Sequence, residues 1–231
     1  MTSQPRTPKT AATTPKPASV PRRAPAPPRR TPQQDRSRAM VSRIVDAGQR
    51  VLIAHGYDGA STNRIATAAG ISPGSLYQYF PNKDAVVAAV IERYTSTVAE
   101  RVRARVLANI GAAPEVAVPE TISDLLDALG NDRELLRAVV EQTPRLSVGG
   151  PVQAFEQQIG ELARLTLSMG RYSAPPDVDT DAAAWMLVRV VEHLTIRYLL
   201  DGPPIPRERF LADITRLILN FFRPQARAER E

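Results

Sequence analysis

From about residue 35 onward the apolar positions recur at helical spacing. Val41, Ile44, Ala47, Val51 and Ala54 stand three or four residues apart, and Gly56 follows where a helix stop belongs. A short helix is predicted over 62–69, with Ile65, Ala66 and Ala69 on one side and Gly70 closing it. Ser72 and Pro73 then supply an N-cap and a proline at the first helical position. Ile71 before that cap and Leu76 inside the helix form a hydrophobic staple, which fixes the angle of entry. This second short helix runs to about residue 79 or 80 and stops before Pro81. Asn82 caps a long helix that continues to about 110, with Gly111 as its stop. Further helices are expected at about 119–129, 132–142, 151–169, 180–200 and 206–222, their ends marked by Gly130, Pro144, Gly170 and Gly202. The last carries apolar residues at 210, 211, 214, 217, 218 and 221, a broad stripe at helical spacing. No run alternates with period two over a useful length. The fold class is therefore all-α, with about nine helices.

The chain has 231 residues, of which 43% are hydrophobic and 23% charged, enough for a real core. It has no cysteine, which excludes a disulfide framework, a thiolate zinc site and a cysteine nucleophile. No apolar run reaches the roughly 18 residues of a transmembrane helix. The best candidate, 182–188, ends at Arg189. The net charge of +6 is unevenly placed. Residues 1–38 hold nine basic groups against Asp35 alone, and 39–231 carry a net charge of −2. Nine of the 21 prolines lie in the same arm, all before Gln33. Residues 1–34 thus lack the apolar surface to offset their ordering entropy, and a disordered, polyproline-rich arm is expected there. Its basic groups are followed by no apolar run, so it is not a secretory signal, and a cytoplasmic location is expected. Two roles stay open for the arm: a solvated tail, or an electrostatic aid to binding a polyanion.

Residues 41–84 carry the functional signal. Two short helices joined by Ala69-Gly70-Ile71-Ser72 make a helix-turn-helix. A helical wheel places Leu76 and Phe80 on one arc of the second helix, with Tyr77 at its edge, and Gly74, Ser75, Gln78 and Tyr79 on the other. A major-groove probe needs such a division between an apolar seam and a small or hydrogen-bonding face. Gly74 permits close approach, and Ser75 and Gln78 can meet base edges. Tyr77 and Tyr79 can donate to phosphates, and Lys83 adds charge at the start of the next helix. Plainer roles stay open beside these: Thr62 as an N-cap, Tyr77 as core, Lys83 as a solvated lysine. A lysine at a helix start opposes the helix dipole, which favours a phosphate partner.

The run of Ile44, Ala47, Gly56, Tyr57, Thr62, Ile65-Ala66, Ala69-Gly70-Ile71-Ser72, Gly74-Ser75-Leu76-Tyr77, Tyr79-Phe80 and Asn82-Lys83-Asp84 closely resembles the N-terminal signature of TetR-family (tetracycline-repressor-like) transcriptional regulators. The resemblance covers about 45 residues. Leu52 stands where the family commonly has phenylalanine, a change of core volume. Matched position by position, the resemblance implies DNA contacts at Thr62, Asn63, Pro73, Gly74, Ser75, Tyr77, Gln78, Tyr79 and Lys83. Beyond the arm, which is longer than the resemblance explains, it also implies a DNA-binding domain over 35–83 and a helical effector-binding and dimerisation domain over 84–231. The basic stretch ahead of the first helix can enter an adjacent minor groove.

A probe about two turns long reads few base pairs, so a two-fold dimer is expected on a palindromic double-stranded operator, with half-sites about 34–36 Å or more apart. The helices at about 180–200 and 206–222 are the expected interface. On the first of them, Leu187, Val190, Val191, Leu194 and Tyr198 form an apolar face; packing within one chain is the alternative. Its opposite face gathers Trp185, Arg189, Glu192, His193 and Ile196. Arg189 and Glu192 can simply pair. Phe155, Met169 and Trp185 are core by default, or they line an apolar effector pocket with Arg189 or His193 as polar handle. The resemblance implies that a small apolar or amphipathic effector, tilting the long helix, releases a repressor from its operator. A coupling of about 1–3 kcal/mol changes affinity roughly 5- to 150-fold.

Catalysis is not expected. His55 and His193 are far apart in sequence, and no nucleophile elbow, phosphate loop or His-Glu-x-x-His motif occurs. Asp177, Asp179 and Asp181 alternate like a calcium loop, but Ala182 and Val188 occupy its glycine and glutamate positions. No cofactor or metal is implied. Two rivals remain: a non-specific nucleoid-type DNA binder led by the arm, and a helical small-molecule enzyme or carrier.

Overall fold

The computed structural model describes residues 32–142, 150–168 and 179–221. The expectations for the arm up to residue 31, for Met169 and for Phe222 lie outside these. Among the described residues there are nine α-helices: α1 (Pro32–Gly59), α2 (Thr62–Ala69), α3 (Pro73–Tyr77), α4 (Lys83–Ala108), α5 (Pro114–Gly130), α6 (Arg133–Gln142), α7 (Gly150–Ser168), α8 (Thr180–Asp201) and α9 (Arg207–Phe221). No strand occurs among them.

Local chemistry accounts for most of the ends. Gly56 breaks α1 with φ 63° and ψ −179°, the stop expected there, and one further turn carries the helix to Gly59. Gly70 closes α2 at φ 64°, its N–H reaching the carbonyls of Ala66 and Thr67. Ser72 and Asn82 cap α3 and α4, accepting from the backbone N–H of Ser75 and of Ala85. The cap of α2 is Ser61, whose Oγ accepts from Arg64 N at 3.2 Å, so Thr62 is free of the capping role considered for it. Two boundaries differ more from expectation. Helix α1 begins at Pro32, ahead of the boundary drawn at residue 35, and its residues 34–39 are exposed. Helix α5 starts at Pro114 and carries Pro119 in its interior. Both prolines are start signals in isolation, and the helix takes the earlier one, which brings Val118 against the second core.

Two apolar cores lie along α4. The first joins α1, α2 and α3 to its N-terminal half, with Ile44, Leu52, Ile65, Leu76, Val86, Val87 and Val90 fully buried. Burial of a side chain such as Leu76 contributes about 1.5–3 kcal/mol. The second core gathers Val98 and Val102 of α4 with residues of α5, α7, α8 and α9. Tyr94 packs against both, and its hydroxyl donates to Leu129 O at 3.3 Å. Helix α6 also divides: Leu135, Ala138 and Val139 face the first core and Leu136 the second.

A polar bridge crosses the same boundary. Arg93 of α4 pairs with Asp46 at 2.5 Å and donates to Gln49 Oε1 at 2.7 Å, both on α1. The Gln49 amide donates in turn to Asp132 at 3.2 Å, and Asp132 caps α6 by accepting from Leu135 N at 2.9 Å. The helix-turn-helix is thus tied to the larger helical body through α1, α4 and α6.

Candidate nucleic-acid interface and internal cavity

Helices α2 and α3 meet through the Gly70 turn and are braced from behind by α1. Arg43 donates to Gly70 O at 3.2 Å and Arg50 to Ala68 O at 3.0 Å, so two guanidiniums satisfy carbonyls at the C-terminal end of α2. Leu76 and Phe80 turn inward, as the wheel requires. On the outside, Asn63, Pro73, Gly74 and Gln78 are exposed. Tyr77 is 53% exposed, and its hydroxyl lies 3.0 Å from Thr62 Oγ1. That contact ties the first residue of α2 to the end of α3 and leaves the phenol at the surface, outside the core considered for it.

The remaining expected positions are half-buried. Ser75 lies with its Oγ 2.9 Å from Ser72 Oγ, so its hydroxyl is held toward the cap. Tyr79 packs partly against the first core, because α3 ends at Tyr77 and Gln78 caps it. The chain then tightens, with Tyr79 N and Phe80 N both donating to Leu76 O. Lys83 Nζ donates to Tyr57 O at 3.1 Å and lies 4.1 Å above the Tyr57 ring. The conflict between this lysine and the dipole of α4 is therefore met inside the chain. Tyr57 in turn donates to Asp84 at 2.5 Å, an acid in the first turn of α4, where the dipole favours it.

The larger body holds an apolar cavity of about 430 Å³, partly open to the surface where Leu107, Ile110 and Leu165 of its wall are exposed. Its walls come from four main helices: Val102 and Val106 of α4, Ile122 and Leu125 of α5, Phe155 and Ile159 of α7, Leu187 and Val191 of α8, among others. Of the five residues expected at such a pocket, Phe155 lines it. Trp185 is instead 64% exposed, His193 is exposed, and Arg189 is absent from the wall. The reason is the rotation of α8. Its buried arc runs through Ala184, Val188, Val191, Thr195 and Leu199, about a quarter turn from the division drawn on the wheel. Leu187 and Val191, expected at a subunit seam, therefore face the cavity, whereas Val190 and Leu194 remain exposed. Tyr198 stacks on Phe210 of α9, with ring centroids 4.1 Å apart. Met186, Val190 and Leu194 continue as an outer stripe of α8, and Leu217 and Phe221 are the exposed apolar residues of α9.

Arg189 has a different role. Its two terminal nitrogens fork onto the carboxylate of Glu156 on α7, and Nη1 also reaches Glu192 at 3.1 Å. Burial, and then the Glu156 charge, raise the pKa of Glu192 above the usual carboxylate range. Glu192 and Ile196, grouped with Trp185 on the wheel, both line the cavity. Sequence reasoning missed most of the wall, because periodicity marks an apolar face without saying whether protein or a void lies against it. Among the described residues no cluster of acids and histidines can hold a metal, and no helix is long and apolar enough to cross a membrane.

Comparison with known proteins follows the same two-part division. Residues 44–90 match the family model for bacterial regulatory proteins of the tetR family, and residues 113–221 match the tetracyclin repressor-like C-terminal domain. An uncharacterized HTH-type transcriptional regulator of Mycobacterium tuberculosis is 27% identical over 199 residues, spanning 85% of this chain and 92% of its own. An HTH-type transcriptional repressor of the same organism is 26% identical, over 74% of this chain and 88% of its own. Among solved structures, the transcriptional regulator FadR of Bacillus subtilis, in complex with stearoyl-CoA, has the same fold. Its TM-score is 0.60 at 18% identity, covering 79% of this chain and 99% of that one.

Proposed function

The chain belongs to the TetR family of bacterial transcriptional regulators, and from that premise we propose that it is a repressor released from a palindromic operator by a lipophilic ligand held in its internal cavity. That it is a ligand-responsive, DNA-binding regulator follows from the family and from the two-domain fold. The single observation carrying the operator assignment is the outer face of α3: Gly74, Tyr77 and Gln78 point away from a seam formed by Leu76 and Phe80. Gln78 is the base-reading side chain in this account, with Ser75 and Gly74 beside it. Thr62, Asn63, Tyr77 and Tyr79 donate to the phosphate backbone, Pro73 packs beside them, and Lys83, held at the Tyr57 carbonyl, adds its charge nearby. Repression as the sign of control is supported by the repressor among its relatives.

Two copies act together. The exposed stripes of α8 and α9 supply the self-complementary surface of a two-fold dimer, and water-facing leucine, valine, methionine and phenylalanine side chains at helical spacing favour such burial. The cavity takes a ligand with a hydrocarbon body, as its walls and the acyl-CoA ligand of the FadR relative both suggest. Ligand-induced displacement of α4 or α6 is passed to the DNA-binding face through the Arg93, Gln49 and Asp132 bridge. The protein works by binding in the cytoplasm, without a catalytic step.

Selection of bound sequences from a random DNA pool tests this directly. A palindrome with half-sites about one helical turn or more apart is the expected result. Gln78→Ala and Tyr79→Ala should then lower the ratio of operator to random-DNA affinity, by about 5- to 100-fold for Gln78. Equal affinity for both DNAs, with a steep salt dependence, is the behaviour of a nucleoid-type binder and overturns the operator reading.

A further inference from the structure

Among the described residues, the wall of the apolar cavity contains one ionisable side chain, and it is an acid. Four residues of the wall have polar side chains: Asn109, Thr121, Thr166 and Glu192. The first three are occupied nearby. The Thr121 and Thr166 hydroxyls each donate to a carbonyl one turn back at 2.8 Å, and the Asn109 amide donates to Glu120 at 2.9 Å. Glu192 is differently placed. It shares Arg189 with Glu156, and the guanidinium fork is directed at Glu156. Two carboxylates thus divide one cation, and a negative charge is left in excess beside the void. His193 is the other titratable neighbour on α8, and it is exposed on the outer side. Among the described residues, no lysine or arginine stands in the wall.

This charge pattern selects among ligands with hydrocarbon bodies. A carboxylate or phosphate head drawn in beside Glu192 meets a like charge, and the neighbouring cation, Arg189, is already engaged by Glu156 and Glu192. An ammonium group there gains a charge-assisted hydrogen bond and offsets the cost of burying the acid. We infer that the effector is a lipophilic cation, an amine on a hydrocarbon body whose ammonium donates to the Glu192 carboxylate. The inference rests on the reading of this cavity as the effector site.

Decylamine, decanol and decanoate share one tail and differ only in the charge of the head. Each, below its critical micelle concentration, is titrated into the full chain carrying the neutral dye Nile red, and dye displacement is read alongside the thermal shift. Decylamine should bind about tenfold or more tightly than decanol, and decanol more tightly than decanoate. In Glu192→Gln the affinity ratio of decylamine to decanol should fall to near one; being a ratio within one variant, it cancels any general loosening of the cavity. Decanol or decanoate binding as tightly as decylamine, or an undiminished ratio in the variant, overturns the charge assignment and leaves the cavity as effector site. If none of the three displaces the dye or shifts the transition, the effector-site reading itself falls. The wild-type series decides the matter even where Glu192→Gln does not fold.

Discussion

At Gly48 the helices α1 and α4 approach so closely that an added methyl group would stand 2.6 Å from Val86 Cγ1. Val86 is fully buried and has nowhere to move. Gly48→Ala is therefore expected to cost about 1–3 kcal/mol by overpacking, against the usual stabilising effect of alanine in a helix interior. Urea denaturation of the two proteins measures the difference; equal midpoints would contradict so close a packing. Nothing in the sequence announces this glycine, which falls within an ordinary helical pattern between Ala47 and Gln49. The exposed residues of the helix-turn-helix are more legible. Gln78 is polar, has no packing role on the wheel, and is exposed in the fold. Tyr79 and Lys83 show where such reasoning stops. The wheel continues α3 past the residue at which it ends, and the carbonyl and ring of Tyr57 that receive Lys83 are 26 positions away in the chain.

The elements of the DNA-binding part are set mainly by neighbours in sequence, which is why their boundaries could be read without coordinates. Ser72, Pro73 and Asn82 fix their helix starts by local hydrogen bonds and a preset φ, and Gly70 ends α2 by adopting a left-handed conformation. Gly70→Ala puts a side chain at φ 64° and a Cβ 2.7 Å from Arg43 Nη2, so it strains the turn and displaces the arginine that braces it. A stability loss of about 1–3 kcal/mol is expected. Operator binding should weaken by more than unfolding alone explains, seen when affinity is measured at a temperature where both proteins are folded. Helices α5 and α8 are governed by distant partners instead. Two prolines can start α5, and the start at Pro114 brings Val118 against the second core. The face that α8 buries depends on α5 and α7, so the sequence displays two apolar arcs without assigning one to the cavity and the other to the outside. Trp185, on the arc expected at the pocket, is exposed for that reason.

For the whole molecule, the outer stripe of α8 and α9 and the internal cavity make separable demands. Leu194→Asp or Leu217→Asp places a charge on the exposed stripe without touching the wall of the void, apart from the shared backbone of α8. Each should shift the protein from dimer to monomer in sedimentation velocity and weaken operator binding steeply, while dye uptake by the cavity persists. A dimer that survives both changes places the interface elsewhere. Phe155 has a wider consequence. Its ring lines the apolar cavity and also a second, more polar cleft between α4 and α7, formed with Glu92, Thr95, Ser96 and Gln158. One aromatic side chain thus stands between an oily compartment and a more polar one. Phe155→Ala should join the two and widen the way out of the oily one. Guests would then come and go faster, and stopped-flow dye release would register the leak as a shortened residence time.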